Sequence, residues 1–233
     1  SLYKSKGGMA TVIKGIADDA ELNSKFDIDI HASYIDGNTV KRLVYSIYAF
    51  LSFLQKYKKY NVFHIHMASY GSTFRKGYYV RFLKKRQKKV ILHIHGAEYI
   101  LFYNNLHMKK KVIVQNIWMR ADTVLVLSEQ WKKEFEEIFN HPHIVVVHNG
   151  IAVEQFEQAK CKINQGRNSF LLLGRLSHRK GVYDIIEAVK GVKETHPNIK
   201  VYMAGDGEIE KVRHKVLEEG VEDNIDVVGW VDF

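Results

Sequence analysis

The feature that most constrains the fold of this chain is an alternation of short β-branched runs with longer stretches of helical periodicity. Repeated βα units of this kind predict a parallel sheet with helices packed against it. Several of the runs are apolar throughout, which is typical of strands that helices cover on both faces. The strand-like runs are 26–31, 61–66, 90–95, 123–128, 144–148, 170–174, 199–205 and 225–229. The helical stretches are 9–21, 40–59, 105–120, 129–139, 181–192 and 208–219.

The pattern breaks once, after residue 150, where about twenty polar and weakly periodic residues precede the next strand-like run. The charge changes at the same place. Residues 1–150 contain 23 Lys and Arg against 12 Asp and Glu, a net charge of +11, whereas residues 151–233 contain 12 against 14, a net charge of −2. We therefore predict an α/β fold with two Rossmann-like, doubly wound parallel-sheet domains, 1–150 and 151–233 (the second beginning with a linker), and a ligand in the cleft between them.

Both predicted domains are expected to be incomplete. No strand precedes the first helix, and only three strand-like runs follow the linker, which is few for a free-standing α/β sheet. We expect the chain to be a fragment of a longer protein.

The cellular compartment is predicted from what the chain lacks. Its single cysteine, Cys161, cannot form an internal disulfide, which favours a reducing compartment. The longest apolar-leaning run, 43–54, is twelve residues, whereas about 18 are needed to span a bilayer. The first ten residues contain no apolar segment typical of a signal peptide. We expect a cytoplasmic protein.

Glycine-rich phosphate loops are incomplete or absent in the sequence. Gly205 and Gly207 follow a strand-like run, but Glu210 stands where GxGxxG requires its third glycine, and GxxxxGK[ST] does not occur. A nicotinamide-dependent dehydrogenase and a P-loop enzyme therefore lack their main support. Gly7 and Gly8 directly precede a predicted helix, where free backbone N–H groups favour an anion. An ordinary turn is the alternative for this pair.

The most informative stretch is FLLLGRLSHRKGVYDIIEAV at 170–189. A strand ends at Gly174, Arg175 and Lys180 flank a short loop, and Gly181 precedes a helix. Two cations beside a helix N-terminus suit a diphosphate, because Arg can bind two oxygens at once and Lys adds a compact charge. The alternative is a solvated basic turn.

Histidines end two neighbouring strand-like runs, His64 and His66 in one and His93 and His95 in the other. Residues i and i+2 share a strand face, so each pair points to one side of the sheet. A His-x-His pair is a common pair of metal ligands, but no carboxylate at another strand end has an obvious place beside them. We therefore expect neutral, hydrogen-bonding histidines and no metal, with a metal site as the alternative. Gly96 follows His95 and would let a ligand approach the backbone.

Several motifs together resemble one family. GRLSHRKGVYDIIEA (174–188), VYMAGDGEIEKV (201–212) and NIDVVGWV (224–231) resemble the second domain of retaining GT-B glycosyltransferases of family 4. The order GGM (7–9), HIHG (93–96), ADTVLVLSE (121–129) and VVVHNGI (145–151) is similar to the first domain of the same family. The resemblance covers essentially the whole chain. It implies transfer of a sugar, with retention of configuration, from a nucleotide-sugar donor to an acceptor on the first domain.

The resemblance also implies roles for individual residues. Arg175 and Lys180 would neutralise the departing nucleoside diphosphate, and His95 would face the donor sugar, so these three are the predicted catalytic residues. No cofactor and no metal are expected, since the nucleotide-sugar is a co-substrate. The predicted donor-binding residues are Gly7, Gly8, Gly174, Gly205, Asp206, Gly207, Val228, Gly229 and Trp230.

The chain departs from the family in one respect. The family carries two glutamates eight residues apart, later in the second domain, and that region is absent here. We therefore expect a hexosyltransferase of bacterial cell-surface polysaccharide or glycolipid synthesis whose present fragment alone is inactive. Two alternatives stay open: a catalytically incomplete nucleotide-binding module, and a metal-dependent hydrolase that uses the histidine pairs.

The basic first half suggests a partner. Lys and Arg are mixed with Tyr, Phe and Leu at 40–60 and 74–89, a composition that suits amphipathic helices at the inner face of an anionic membrane. No recognised nucleic-acid motif accompanies the charge, which disfavours nucleic acid as a partner. Solvated outer helices are the simpler alternative. The densest cluster contains Arg81, Lys84, Lys85, Arg86, Lys88 and Lys89 beside Tyr78, Phe82 and Leu83. We expect a glycan or lipid-linked acceptor and peripheral membrane association.

Overall fold

A computed structural model of the chain describes residues 8–35, 37–150, 153 and 168–231. The chain divides into two compact units, Ser1–Val153 (unit 1) and Glu154–Phe233 (unit 2). Each unit contains a parallel sheet with helices between its strands. The predicted α/β fold class with two parallel-sheet domains is confirmed.

Unit 1 contains four strands and seven α-helices among its described residues. The strands are β1 (Val62–Met67), β2 (Lys89–Ile94), β3 (Thr123–Val126) and β4 (Ile144–Val146). The helices are α1 (Gly8–Asp18), α2 (Ala20–Lys25), α3 (Thr39–Lys56), α4 (Gly71–Lys85), α5 (Tyr99–Asn104), α6 (Met108–Arg120) and α7 (Glu129–Phe139).

The strands of unit 1 lie in the order β1-β2-β3-β4, all parallel. Because right-handed crossovers between sequential neighbours place their helices on one side, α4, α6 and α7 share one face of the sheet. Apolar side chains of alternate strand positions fill the space beneath them, among them Met67, Leu92 and Val124, each fully buried. The histidines of β1 and β2 occupy the other positions of the alternation, and the register pairs His66 with His93.

Trp118 anchors α6 in this core. It is fully buried, its ring stacks on Phe139 at 3.9 Å between centroids, and its indole N–H donates to the Tyr99 hydroxyl at 3.0 Å. An indole that is buried usually needs such a partner for its N–H. The core of unit 1 is therefore tied together by one aromatic cluster that spans α5, α6 and α7.

The strand predicted at 26–31 is wrong. In the structure this segment is extended but belongs to no strand, and Phe26 is 62% exposed. Its side chains contact α3 instead, where Lys56 Nζ lies 3.2 Å from an Asp29 carboxylate oxygen and the His31 ring lies against Phe53. The alternation of apolar and polar residues was typical of a strand, but these side-chain contacts hold the segment beside a helix.

Unit 2 has strands β5 (Ser169–Leu173), β6 (Lys200–Ala204) and β7 (Ile225–Gly229), and helices α8 (Val182–Val192) and α9 (Ile209–Glu218). The strand order is β5-β6-β7, all parallel. Residues from both helices and from β6 and β7 form its core, among them Ile186, Val212 and Met203. In the described part of unit 2 the sheet has one covered face, since Leu171 and Leu173 remain 65% and 56% exposed.

Two features of the predicted amphipathic segment 74–89 differ in the structure. Leu83 is fully buried on the inner face of α4, so its side chain cannot contact a membrane. Lys84 forms an ion pair with Asp122 at 2.6 Å, and the same carboxylate lies 3.4 Å from Lys89 Nζ. Among the described residues, no helix is both long and apolar enough to cross a membrane.

Candidate active site

The carboxyl edge of the unit 2 sheet is formed where its three strands end close together. Gly174 follows β5, Gly205 follows β6, and Gly229 ends β7. Two backbone hydrogen bonds continue the ladder past the strand ends: the Gly174 N–H donates to Ala204 at 2.9 Å, and the Gly205 N–H donates to Gly229 at 2.7 Å. Ligands of parallel α/β sheets bind at this kind of edge.

The backbone of another loop approaches Gly205 and Gly207 so closely that a side chain would not fit at either position. A Cβ on Gly205 would lie 1.8 Å from the Gly174 carbonyl oxygen, and one on Gly207 would lie 2.3 Å from the Leu176 carbonyl oxygen. Their φ angles, +145° and +111°, also disfavour residues with side chains. These glycines therefore hold two loops against each other, a role that the sequence does not distinguish from contact with a ligand.

Arg175 and Lys180 lie on the loop between β5 and α8, and both are exposed. Lys180 ends a 3₁₀ turn, His178–Lys180, and Gly181 with φ +73° is the N-cap of α8. No side chain caps the first turn of α8. Among the described residues, no carboxylate lies within ion-pair distance of either cation. Lys180 directly precedes the N-cap of α8 and Arg175 lies on the same loop, so two cations without a carboxylate partner among the described residues and the free N–H groups of α8 form an environment suited to an anion.

The remaining predicted donor-binding residues of unit 2 lie on the same edge. Asp206 is exposed, and its backbone carbonyl accepts from the Leu176 N–H at 2.6 Å, which fixes the loop after β6. Val228 is 46% exposed and Trp230 43% exposed at the end of β7. The edge thus offers backbone groups, an exposed ring and two cations at the ends of three neighbouring strands.

In unit 1 the four histidines form a compact cluster on one face of β1 and β2. His64 Nε2 lies 3.1 Å from His93 Nδ1, and His66 Nδ1 lies 2.9 Å from His95 Nε2. The rings of His66 and His95 are stacked at 5.1 Å between centroids. Each pair is at hydrogen-bond distance, an arrangement in which one neutral imidazole donates to the other.

His95 lies at the carboxyl end of β2, as the sequence predicts, and the neighbouring Gly96 meets the loop that follows β1. A Cβ on Gly96 would lie 2.4 Å from Ser69 Oγ and 2.8 Å from Ser69 N. Gly96 therefore allows the loop after β1 to approach on the side where a Cβ would lie, and the expectation that a ligand approaches the Gly96 backbone stays a prediction. The Ser69 hydroxyl is buried and has no hydrogen-bond partner among the residues that the structure describes.

Lys76 is a partly buried cation that the sequence pattern does not distinguish. Its ammonium group donates a hydrogen bond to the backbone carbonyl of His66. Burial, with a smaller contribution from Arg75, lowers the pKa of Lys76 to about 8. Nothing in FRKGYYV (74–80) distinguishes this lysine from its solvated neighbours, because its burial depends on how α4 packs on β1.

Comparison with known proteins places these features in a family. The sequence model of glycosyltransferase family 4 matches residues 11–155, more than half of the chain, and that of the glycosyl transferases group 1 matches residues 153–232. The chain belongs to glycosyltransferase family 4. The resemblance found in the motifs is thereby confirmed.

Curated relatives of this family 4 chain are transferases of greater length. Glycogen synthase of Mycobacterium tuberculosis is 29% identical over 104 residues, which are 43% of this chain and 25% of that protein. An uncharacterised glycosyltransferase of Methanocaldococcus jannaschii is 32% identical over 117 residues, with 40% of this chain and 30% of that protein covered. The chain thus spans between a quarter and a third of these relatives.

Solved structures with the same fold include two glycosyltransferases. The lipopolysaccharide outer core galactosyltransferase WaaB, in its apo form, aligns with a TM-score of 0.54 and 19% identity over 97% of this chain and 65% of its own. The pneumococcal O-GlcNAc transferase GtfA, in complex with UDP and GlcNAc, aligns with a TM-score of 0.52 and 16% identity over 79% of this chain and 37% of its own. At such identities the likeness shows the GT-B fold.

The predicted site residues of this family 4 chain fall into two groups. Arg175 and Lys180 share one edge of unit 2 with Gly174, Gly205, Asp206, Gly207, Val228, Gly229 and Trp230. His95 lies in unit 1, and Gly8 begins α1 of the same unit. Gly7 lies outside the described residues. The predicted roles of these residues toward a donor stay predictions.

The histidine cluster is the part of the described structure that could hold a metal ion. His64, His66 and His93 each offer a nitrogen, and these nitrogens lie within 4.8 Å of one another. Three imidazoles and a water would satisfy tetrahedral Zn²⁺. One ring nitrogen of each of these three histidines is engaged in the paired contacts described above, so the geometry also suits neutral histidines alone, although His93 Nε2 has no hydrogen-bond partner among the described residues.

We predict that acid destabilises unit 1 through this cluster. Burial is the main reason that the pKa of His93 falls from 6.5 to about 3 and that of His95 from 6.5 to about 4. Between those values and 6.5 the unfolded chain binds protons that the folded unit does not, so stability falls as the pH falls below 6.5. The slope is about 1.4 kcal/mol per pH unit for each excess proton.

Urea denaturation between pH 7 and pH 4.5 measures this effect. The His93→Gln variant should show a shallower loss of stability with pH than wild type. His107→Gln, which removes an exposed histidine, should retain the full slope. A pH slope unchanged by His93→Gln would contradict the prediction.

Proposed function

We propose that this glycosyltransferase transfers a hexosyl unit, with retention of configuration, from a nucleotide-sugar to a glycan or lipid-linked acceptor. The proposed setting is the synthesis of a bacterial cell-surface polysaccharide or glycolipid at the cytoplasmic face of the membrane. One observation carries the proposal: Arg175 and Lys180 are exposed on the loop that leads into the uncapped start of α8, and neither has a carboxylate partner among the described residues.

The chemistry of the proposed step explains why these cations matter. When the bond between sugar and diphosphate breaks, negative charge increases on the departing phosphate oxygens. Arg175 can bind two of these oxygens, Lys180 adds a fixed charge, and the N–H groups of α8 add a partial positive charge. Fixed groups of this kind lower the barrier because they stabilise the charge that develops in the transition state. His95 is proposed to face the donor sugar.

The names of similar proteins support the substrate classes. GtfA is described in complex with UDP and GlcNAc, and WaaB as a galactosyltransferase of the lipopolysaccharide outer core. On this basis we propose that the leaving group in the reaction of this chain is a nucleoside diphosphate and that the acceptor is a cell-surface molecule. The proposed reaction uses no metal or other cofactor, since the chain's own cations can neutralise the diphosphate.

A donor screen tests the proposed function. Thermal unfolding is measured with UDP-, GDP- and ADP-sugars, and release of free nucleoside diphosphate is measured for any donor that stabilises the protein. A donor at a hundred times its Kd should stabilise unit 2 by about 2.7 kcal/mol. A donor that binds but is never consumed would favour the nucleotide-binding module. Activity that is lost on chelation and restored by Zn²⁺ would favour the metal-dependent hydrolase, for which the nitrogens of His64, His66 and His93 are the candidate ligands.

Membrane association is proposed on a surface formed by α3 and α4. Val40, Val44 and Tyr48 project from α3 with exposed fractions of 70%, 61% and 65%. Arg81 and Lys85 of α4 are exposed as well. Exposed apolar side chains and exposed cations on neighbouring helices suit an anionic bilayer surface, where each cation contributes about 1 kcal/mol.

We predict binding to anionic vesicles at low salt, release at high salt and little binding to neutral vesicles. Reversing the charge of Arg81 and Lys85 to Glu should abolish the binding, because both side chains are exposed. Lys84 is left unchanged, since its pair with Asp122 belongs to the fold. Co-sedimentation measures the effect. Equal binding to neutral and anionic vesicles would refute the claim, and salt-sensitive binding to DNA or RNA without lipid preference would favour nucleic acid instead.

A further inference from the structure

A groove of about 630 Å³ runs between α3 and α4 on the surface of unit 1. This volume lies within the range of pockets that hold small molecules, about 300–1,000 Å³. Its apolar wall comes from Leu43, Ile47, Phe50 and Leu51 of α3 and from Tyr78 of α4. Leu43, Ile47 and Leu51 follow helical spacing and are 62%, 57% and 56% exposed. A continuous apolar wall of this kind is suited to a hydrocarbon chain.

Two arginines, Arg42 and Arg75, also line the groove. Among the described residues no carboxylate lies within ion-pair distance of either. Burial lowers the pKa of Arg75, and the neighbouring positive charge of Arg42 lowers it further. Two cations that line one groove, with no carboxylate partner among the described residues, are a pattern expected where an anion binds.

The polar atoms around these arginines have unused hydrogen-bonding capacity. Arg75 Nε and the Tyr79 hydroxyl are both buried, and neither has a hydrogen-bond partner in the part of the chain that the structure describes. Arg75 also lies 4.9 Å from the centre of the Tyr34 ring, which holds its guanidinium in place. A buried donor without a partner is costly, and an anion with several oxygens could accept from these groups.

The groove has a defined direction relative to the sheet. Arg42 lies near Arg75, the Phe50 ring lies 5.2 Å from that of Tyr79, and Tyr57, just beyond α3, lies 4.9 Å from Phe82. The order of these contacts shows that α3 and α4 run in the same direction. Because α4 starts just after β1, the arginine end of the groove lies toward the carboxyl edge of the unit 1 sheet, where β2 ends at Ile94.

We propose that this groove binds the acceptor as a lipid phosphate, with its phosphate between Arg42 and Arg75 and its hydrocarbon chain along Leu43, Ile47 and Leu51. The inference rests on the proposed function, to which it adds the chemical class of the acceptor. The direction of the groove would present the head of the lipid at the carboxyl edge and leave the chain beside the apolar surface of α3. A bilayer would then deliver the acceptor along the same helix.

Calorimetric titration of the whole chain with dodecyl phosphate below its critical micelle concentration tests this proposal. Dodecanol, inorganic phosphate and octyl phosphate separate the contributions of phosphate and chain. We expect saturable binding of dodecyl phosphate, at least ten-fold weaker binding of dodecanol and of octyl phosphate, and no measurable binding of inorganic phosphate.

Arg42→Gln and Arg75→Gln should each weaken dodecyl phosphate binding about ten-fold or more. Arg42 is exposed, so its variant remains informative should Arg75→Gln fail to fold.

Matched controls lie on α6 of the same unit. Lys109→Gln removes an exposed cation and Val112→Asn an exposed apolar side chain, and neither should change dodecyl phosphate binding. Ile47→Asn should weaken it. Equal affinity for dodecanol and dodecyl phosphate, or full affinity in the Arg42 and Ile47 variants, would overturn the proposal. A dimer that Ile47→Asn converts to monomer would do the same, because a second copy would then occupy the groove.

The same protein preparation is titrated with UDP, GDP and ADP. Binding of a nucleoside diphosphate without binding of dodecyl phosphate would overturn the acceptor groove and leave the proposed donor site standing. Binding of dodecyl phosphate without any nucleoside diphosphate would support a lipid phosphate site and count against the proposed transferase function.

Discussion

Replacing both Arg175 and Lys180 with Ala is expected to weaken nucleoside diphosphate binding by about a hundred- to ten-thousand-fold. Removing one charge-assisted hydrogen bond from a binding site costs about 1.5–3 kcal/mol, and the effects of two cations on one diphosphate should add approximately. Each single variant is expected to bind about ten- to hundred-fold more weakly than wild type. The change should appear in affinity alone, because both side chains are exposed and neither pairs with a carboxylate of the described chain.

Calorimetry with the nucleoside diphosphate that binds wild type most tightly measures this effect. Lys200→Ala is the matched control, because this exposed cation starts β6 at the opposite edge of the same sheet. The control should bind like wild type, and all variants should unfold at similar urea concentrations. If the double variant binds as tightly as wild type, these cations do not hold the diphosphate.

The Gly205→Ala variant is expected to destabilise unit 2 by about 3 kcal/mol or more. The new Cβ would lie 1.8 Å from the Gly174 carbonyl oxygen and 2.6 Å from its carbon, so the backbone of one loop must move. The φ angle of +145° adds strain for any residue with a side chain. Overpacking and strain each cost about 1–3 kcal/mol.

Gly191→Ala is the control for this substitution. Gly191 lies inside α8, and no atom approaches the position of its Cβ within 4 Å. Alanine in a helix is favoured over glycine by up to about 1 kcal/mol, so this variant should be as stable as wild type or more so. Hydrogen exchange of the β5, β6 and β7 amides reports on unit 2 alone. Wild-type protection of these amides in Gly205→Ala would contradict the packing described here.

The periodicity of the sequence predicted most of the fold because each of its signals is local. Seven of the eight predicted strands are present within a few residues of their expected bounds. The exception, 26–31, has the alternation of a strand, yet the ion pair of Asp29 with Lys56 and the ring contacts of His31 hold it against α3. Contacts of this kind join residues far apart in the chain, and no local pattern contains them.

The candidate site shows the same division between local and tertiary information. The loop of Arg175 and Lys180 could be predicted, since a strand, two cations and a glycine before a helix are adjacent in sequence. The roles of Gly96 and Gly207 could not, because each is set by a loop that approaches from elsewhere, Ser69 in one case and Leu176 in the other.

The apolar groove between α3 and α4 could not be predicted from the sequence either. Leu83 and Tyr78 look equivalent in the basic segment, but one is fully buried and the other is 66% exposed. Which side of α4 faces solvent is decided by its packing on β1 and α6. In the same way, the exposure of Leu43, Ile47 and Leu51 depends on which of the two apolar faces of α3 packs inward.

Hydrogen exchange with and without a saturating nucleoside diphosphate tests the central claim most directly. The proposed donor site predicts new protection in peptides that cover residues 174–182 and 205–208, and none in β1 or α6 of unit 1. The Arg175→Ala/Lys180→Ala variant should show no such protection at the same nucleotide concentration. Protection confined to unit 1, or protection that the double variant retains in full, would contradict the account.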